Sequence, residues 1–476
     1  MKLSQSPSQV LLNSRWLLPT ALFMALGMGW VVSSAGFIVP VLLVMLPVLL
    51  FFFVLVFYFP QAGLISYIVY CFALSLIGRY LLPGLPVGMG MDALLILTWL
   101  AVLFHQSEYH DWTKIQNDLC LLALVWFIIN IAEIGNPAGA SIAGWFYEMR
   151  ATTLYWVLTV PLVFILFNKQ HHLQLFLTLI IALSVLGALY GLKQKLIGLD
   201  AVEQQWLADG HRRTHMIFGR LRVFSFYSEA AQFGASQAHV GLICIILALG
   251  PFVWWKRMLM AMAGILLVYG MLISGTRGAM FVIATGVIVY LVLSKKASIL
   301  ILGLSISLAL FCVLKYTNIG NTNADIYRLR SSLNPQDASF QVRLQNQAKL
   351  REYLSSRPFG GGVGVIGFWG KTYNSDKYLS SIPPDSYYVK IWAEYGIVGF
   401  LIWFGMMLYI LGKCCGIVWH IQNAQLRQKL LALTAGFGGV LVASYGNEVM
   451  NQVPSSMILY ISWAFIFLGP QIDAKK

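Results

Sequence analysis

Residues 271–283 read MLISGTRGAMFVI and place a single arginine, Arg277, between two apolar runs. A guanidinium group at the centre of a lipid bilayer costs about 3 kcal/mol on insertion scales, so Arg277 needs either a water interface or an anionic partner. The apolar run on each side is long enough to cross a bilayer. The Gly-Thr-Arg-Gly turn is therefore predicted to join two membrane spans at the surface of the membrane.

The rest of the chain repeats this pattern of apolar spans. Of its 476 residues 59% are hydrophobic and only 11% are charged, which is typical of a polytopic membrane protein. The sequence predicts an all-α fold of about 12–14 transmembrane helices, and the first apolar run is a span and not a cleavable signal peptide. The apolar stretches lie near 16–36, 38–58, 62–82, 88–105, 118–135, 151–167, 173–192, 236–254, 258–274, 278–294, 297–315, 388–411, 428–446 and 454–469.

The short basic connections decide the orientation. They are Lys256-Arg257, Lys295-Lys296, the segment from Lys413 to Lys429, and Lys475-Lys476, and all fall on one side if the spans alternate. Positive charge collects on the cytoplasmic side of membrane proteins. We therefore expect both termini to be cytoplasmic and the Arg277 turn to face the outside.

This topology divides the chain into five segments. We expect N-terminal transmembrane helices over 1–192, a first outer loop over 193–235, further spans over 236–315, a large outer loop over 316–387, and C-terminal spans with a short cytoplasmic tail over 388–476.

The first outer loop carries positive charge on the side where it is normally scarce. Arg212, Arg213, Arg220 and Arg222 lie in it, and Glu229 follows as a possible brace. Arginine pairs with phosphate oxygens through two parallel hydrogen bonds, so the cluster indicates a bound anion, with Arg220 and Arg222 as alternative ligands. The alternative for Arg277 is contact with lipid headgroups.

The second outer loop contains a predicted amphipathic helix followed by a glycine run. Phe340, Leu344, Leu350 and Leu354 have roughly helical spacing, and such a helix would lie on the membrane or cap a cavity. No strand precedes GGGVGVIG (360–367), so we interpret it as a close backbone turn and not as a nucleotide-binding loop.

Polar residues gather where the next span begins. Asp385, Tyr387, Tyr388 and Lys390 are predicted to line an outward-facing cavity with Arg222 and Arg277, and Glu394 is either a pocket residue or a helix-pairing residue. Asp385 is the candidate general base, and the alternative is that it caps the helix. The aromatic side chains that could stack on sugars or form an interfacial belt are Trp206, Phe218, Trp369 and Tyr373.

Four motifs in order resemble the O-antigen ligase and O-antigen polymerase superfamily of bacterial envelope glycosyltransferases. They are RVFSFYSEAAQFG (222–234), SGTRGA (274–279), RLQNQAKLREYLSSRPFGGGVG (343–364) and PPDSYYVKIWAEYGIVGFLIWF (383–404). The resemblance covers about residues 215–410, whereas the first 190 residues are similar only as a hydrophobic bundle.

The resemblance implies a GT-C-like enzyme of the bacterial inner membrane with a periplasmic active site. Such enzymes transfer a glycan from an undecaprenyl pyrophosphate carrier to lipid A core, another glycan or a protein hydroxyl, with expected inversion. By position in the motifs, Arg222 and Arg277 would hold the pyrophosphate, and Arg343 would open the amphipathic segment. The ligases usually have a histidine where this chain has Asp385, and the distantly similar SEDS polymerases use an outer-face aspartate.

Several expectations follow for ligands and for rival functions. Negative charge that develops on a pyrophosphate leaving group is stabilised by fixed arginines, so neither a metal nor another cofactor is expected, and no nucleic acid partner. No Asp or Glu precedes Asp92, so the early outer loops lack an acidic pair for a metal. An O-antigen or exopolysaccharide polymerase and, from another class, a lipid-linked glycan transporter stay open as alternatives.

Overall fold

The computed structural model describes residues 38–104, 110–217, 219–295, 297–318 and 338–474, together with scattered positions in 19–30 and 327–336. The predicted span 16–36 lies largely outside the described residues. Phe218, most of 319–337 and the two chain termini lie outside them as well.

Helices make up nearly all of the described chain. The N-terminal half contains α1 (Ile38–Tyr58), α2 (Pro60–Leu76), α3 (Met89–Phe104), α4 (Asp118–Ala132), α5 (Ile142–Met149), α6 (Tyr155–Leu166), α7 (Gln170–Leu196), α8 (Ala201–Trp206) and α9 (Arg212–His215). The C-terminal half contains α10 (Ala230–Ala248), α11 (Trp254–Ile273), α12 (Ala279–Leu293), α13 (Ala297–Tyr316), α14 (Ala338–Leu354), α15 (Gly367–Tyr373), α16 (Tyr387–His420), α17 (Ala424–Ala443) and α18 (Ser455–Ala474).

The fold is an all-α polytopic membrane protein, as predicted. Nine helical stretches in the described part of the chain are long and apolar enough to cross a membrane. Met45–Tyr58, Met89–Phe104 and Ala279–Leu293 are shorter apolar helices of the same kind. Each predicted span from 38–58 onward coincides with one of these helices or with α13.

Two spans begin six or more residues earlier than the sequence pattern predicts. Helix α10 starts at Ala230 and not at 236, and the helical stretch Ile142–Leu166 starts before the predicted 151. Gln232 and Ser236, in the first turns of α10, are fully buried. A helix enclosed by other helices does not need an apolar surface, so its polar first turn looked like a loop in the sequence.

The short basic connections lie together at one end of the bundle. At one end, Arg257 donates to the Ala248 carbonyl at 2.9 Å, and Arg427 donates to the Leu293 carbonyl at 2.9 Å. The Arg277 turn lies at the opposite end, because α11 and α12 each run the length of the bundle between these points. The basic connections at 256–257, 295 and 413–429 therefore share one face, as predicted.

The first outer loop is a small folded unit. Helix α8 begins with a capping box in which Asp200 and Glu203 bind each other's backbone N–H groups. A π-helical turn, Leu207–His211, and α9 then lead into a two-stranded hairpin of β1 (Met216–Ile217) and β2 (Arg220–Leu221). These elements fix the chain just before Arg222.

The second outer loop is anchored on α16 through its glycines. Gly360, Gly362, Gly364 and Gly367 have positive φ, and the Gly364 N–H donates to Glu394 Oε1 at 3.0 Å. A Cβ atom at Gly360 would overlap the α16 backbone. The glycine run thus permits a close backbone contact. Glu394 binds this loop, and in the described part of the chain it neither lines the polar and apolar cavities at this end of the bundle nor pairs with another helix through a hydrogen bond.

Candidate active site

Five residues predicted to form the site meet in one polar cavity of about 340 Å³ at the Arg277 end of the bundle. They are Arg222, Glu229, Arg277, Arg343 and Asp385. They come from four separate parts of the chain: the segment after β2, the α11–α12 turn, α14 and the residues before α16. The remaining lining residues are Ala231, Gly275, Thr276, Gly278, Pro384, Gly446, Asn447, Glu448 and Gln452.

The guanidinium of Arg222 is held in a fixed plane. Its Nε donates to the Ser274 carbonyl at 3.3 Å, Nη1 to the Thr214 carbonyl at 3.0 Å, and Nη2 to Thr276 Oγ1 at 3.2 Å. Ser274 and Thr276 belong to the Arg277 turn, and Thr214 belongs to the first outer loop. Arg222 therefore joins the first outer loop to the Arg277 turn while it lines the cavity.

Arg277 and Arg343 lie where the polar cavity meets a second cavity. This second cavity has a volume of about 400 Å³, and both arginines line it too. Its other walls are mostly apolar and include Phe281, Phe340 and Phe404. Helix α14 therefore caps a cavity, since Phe340 and Leu344 line it, whereas Leu350 and Leu354 are buried against the glycine run.

Asp385 has an unusual backbone conformation. Its φ is 47°, in the left-handed region that asparagine and aspartate tolerate better than most residues. The next residue, Ser386, caps α16 by accepting the Val389 N–H, so the alternative that Asp385 is the N-cap is wrong. Capping by Ser386 leaves the Asp385 carboxylate on the cavity wall.

The surroundings of Asp385 favour its neutral form. Although the residue is exposed on one side, burial by the neighbouring protein raises the pKa of its carboxyl, and the charges of Arg343 and Lys371 oppose this rise. A carboxylate with a raised pKa is a stronger base than an ordinary aspartate.

A buried cluster of charged side chains packs behind Glu448, which lines the polar cavity. Lys390 Nζ lies 2.9 Å from Glu148 and 3.2 Å from Glu448, and Asn451 donates to Glu148 at 2.9 Å. Burial raises the pKa of Glu448, and Lys390 opposes the rise. The prediction that Lys390 lines the cavity is wrong, because its ammonium group is buried between Glu148 and the wall residue Glu448. Glu148 is far from Lys390 in the sequence, and no local pattern predicts this pair.

Three further residues predicted for the site do not line the polar cavity. Arg220 is exposed on β2 and does not line the cavity. Tyr387 is buried and packs edge-on against Trp403, with ring centroids 5.3 Å apart. Tyr388 lines the apolar cavity, and its hydroxyl donates to the Leu441 carbonyl at 2.7 Å. Successive residues at the start of a helix point in different directions, so only part of this polar cluster reaches the site.

The predicted aromatic residues divide into two groups. Trp369 and Tyr373 stack with Tyr147, whose ring centroid lies 4.5 Å from that of Trp369. Trp206 lies in a different cavity beside Arg79. Neither group lines the polar cavity.

Two comparisons with known proteins match this chain, one of them over the part that contains Arg277, Arg343 and Asp385. Residues 262–404 match a family model described as O-Antigen ligase. The chain is also 27% identical over 287 residues to an O-antigen polymerase of Salmonella muenchen, a match that covers 58% of this chain and 66%, just under two thirds, of that protein. Both matches support the resemblance to the O-antigen ligase and polymerase superfamily that the motifs predict.

Proposed function

We propose that the protein transfers a glycan from an undecaprenyl pyrophosphate carrier to an acceptor hydroxyl at the periplasmic face of the bacterial inner membrane. One observation carries this proposal: an arginine-lined polar cavity and an apolar cavity share Arg277 and Arg343. A polyprenyl pyrophosphate has the same division, with a charged headgroup joined to an apolar chain. The shared arginines lie where headgroup and chain would meet.

In the proposed reaction, the acceptor oxygen attacks the anomeric carbon and the bond to the pyrophosphate breaks. Arg222, Arg277 and Arg343 stabilise the charge that develops on the leaving group, in the role that a divalent cation has in other transferases. Asp385 accepts the proton of the acceptor hydroxyl. Attack opposite the leaving group inverts the configuration at the anomeric carbon.

Ligase and polymerase activity both fit this site. The family model is described as a ligase, whereas the relative from Salmonella muenchen is named a polymerase. A polymerase extends the lipid-linked glycan, and a ligase moves the finished chain to lipid A core. The two reactions use the same donor and differ in the acceptor.

Glycan analysis of a strain that lacks the gene tests the proposal. Long chains that accumulate on the lipid carrier, with none on the surface acceptor, indicate a ligase. Single repeat units on the carrier indicate a polymerase. An unchanged pool of lipid-linked glycans and an unchanged surface polysaccharide would contradict both forms. Complementation with the wild-type gene is the control.

A further inference from the structure

A third cavity, which is lined by Arg79, Trp206 and Asp209, also faces outward. It lies on the other side of the chain segment that follows β2 and contributes to the proposed donor site. Its volume is about 750 Å³, within the range of small-molecule sites. Ser228 lines this cavity and the next residue, Glu229, lines the polar cavity. One stretch of backbone therefore forms a wall of both.

Arg79 forms the buried floor of this cavity. Its residue surface is only 8% exposed, and it donates to the carbonyls of Ser225 and Tyr227 at 3.0 and 2.8 Å. Its Nε–H group is buried and has no hydrogen-bond acceptor within the described part of the chain. That nitrogen is closed off from the cavity, so Arg79 gives the floor a fixed positive charge that two backbone carbonyls hold in place.

Three planar groups stack in series from Arg79 toward solvent, namely the Arg79 guanidinium, the Trp206 ring and the His211 ring. The Arg79 guanidinium lies 4.4 Å from the ring centroid of Trp206, and the His211 ring stacks on Trp206 at 4.0 Å. Two groups so close to one ring centroid would collide on the same face, so they occupy opposite faces. The exposed His211 ring, held by its Nδ1 contact of 2.9 Å with the Trp206 carbonyl, forms the outer surface of the stack.

The polar groups at the mouth suit a ligand with many hydroxyls. Gln205, Asp209 and Ser228 are exposed there, and Gln205 donates to Asp209 at 2.9 Å. This cavity has one arginine, Arg79, and one acidic residue, Asp209, whereas the donor cavity has three arginines that can pair with phosphate oxygens, together with three acidic residues. This cavity is therefore less suited to a pyrophosphate. Flat groups with planar amide and carboxylate side chains are the surfaces that bind sugar rings, by stacking and by paired hydrogen bonds.

We propose that this cavity binds a saccharide, the acceptor glycan, beside the donor site. Its role as an acceptor site rests on the proposed transferase function, but saccharide binding does not. Saccharide binding and glycan transfer are tested by different measurements. Binding is measured on the protein without any donor, and transfer is measured through the lipid-linked pool.

The test is binding of defined probes to the purified full-length protein in lipid nanodiscs. Two probes cover the two forms of the reaction: the single repeat unit released by mild acid from the lipid-linked glycans of the parent strain, for a polymerase, and the core oligosaccharide released by mild acid from its lipopolysaccharide, for a ligase. Binding is followed by calorimetry. We expect Gln205→Ala combined with Asp209→Ala to weaken binding at least about tenfold, which corresponds to about 1.4 kcal/mol. Trp206→Ala should weaken it further.

Two controls make the outcome decisive. Gln204→Ala removes the neighbouring glutamine of α8, which is exposed and does not line the cavity, and should bind the probe like wild type. Arg277→Lys alters the proposed donor site and should also leave probe binding unchanged. The proposal is overturned if wild type binds neither saccharide, as expected for a protein hydroxyl acceptor, or if the mouth variants bind as well as Gln204→Ala. Normal probe binding with an unchanged lipid-linked pool in the deletion strain would reject the transferase function alone.

Discussion

Arg222, which lines the polar cavity, and its exposed neighbour Arg220 have the same charge but differ in how their guanidinium groups are held. Arg222 uses all three guanidinium nitrogens to contact protein acceptors, whereas Arg220, two positions earlier, is exposed on the hairpin. A lysine has one nitrogen and cannot reproduce a planar fork. We therefore expect that a positive charge alone does not suffice for the function of the residue at position 222.

We predict that Arg222→Lys and Arg277→Lys each reduce glycan transfer roughly 100-fold, because a point charge loses the fixed geometry that stabilises the leaving group. The measurement is the rate of transfer from purified lipid-linked donor. Arg220→Lys is the matched control and should be near wild type. Normal rates in both cavity variants would mean that these arginines only contact lipid headgroups.

For the proposed base, Asp385→Asn should lower the transfer rate by about 10²- to 10⁴-fold while the lipid-linked donor still binds. Asparagine suits this test because it tolerates the positive φ of position 385, whereas alanine would also strain the backbone. Donor binding and single-turnover transfer are measured on the same preparation. Wild-type turnover in this variant would remove Asp385 from the mechanism.

The raised pKa of Asp385 gives a pH dependence with a defined sign. A carboxyl with a raised pKa becomes protonated at a higher pH than an ordinary aspartate, whose pKa is about 3.9. Transfer should therefore fall as the pH decreases through that raised value and reach a plateau above it. The residual activity of Asp385→Asn should lack this acidic limb, and an identical limb in both proteins would assign the titration to another group.

At the level of elements, helix α16 depends on a glycine where the second outer loop docks. Gly396 has a φ of 66°, and a Cβ atom there would overlap the Pro358 carbonyl oxygen. Gly405, further along α16, has nothing within 4 Å of its Cβ position. The same substitution at the two positions thus separates loop docking from helix propensity.

We predict that Gly396→Ala destabilises the protein by about 1–3 kcal/mol, the range for a side chain forced into the left-handed region, with additional loss from the overlap. Gly405→Ala should be neutral or stabilising by up to about 1 kcal/mol, since alanine favours the helix. Thermal unfolding in the same detergent compares the two. Equal melting temperatures would show that the loop does not need this close approach.

At the scale of the whole molecule, the position of the short basic connections at one end of the bundle predicts its orientation in the membrane. Arg220 is exposed at the end with the cavities, and Gln425 is exposed at the end with the basic connections. A membrane-impermeant maleimide added to intact spheroplasts should label Arg220→Cys and not Gln425→Cys, in a background whose six native cysteines are replaced. The cysteine-free parent is the control, and the reverse labelling would invert the topology.

The sequence by itself predicted the described spans, the shared end of the short basic connections, and the meeting of Arg222, Arg277, Arg343 and Asp385 at one cavity, whereas the chemical roles of these four residues stay predictions. These inferences succeeded because hydropathy and the distribution of basic residues act locally along the chain. An arginine or an aspartate next to an apolar span is recognisable in the sequence, however the rest of the chain folds. The early start of α10 was missed because burial among other helices replaces the need for an apolar sequence.

Only the tertiary structure decided which neighbours face the cavity and which distant groups support it. Arg222 and Arg220 are two residues apart, and the hairpin turns only one of them inward. Lys390 meets Glu148 and Glu448 across helices that are far apart in the sequence, and Arg79 meets Trp206 in the same way. The direction of a side chain and the contacts between distant segments depend on how all the helices pack together, and no local pattern in one sequence contains that information.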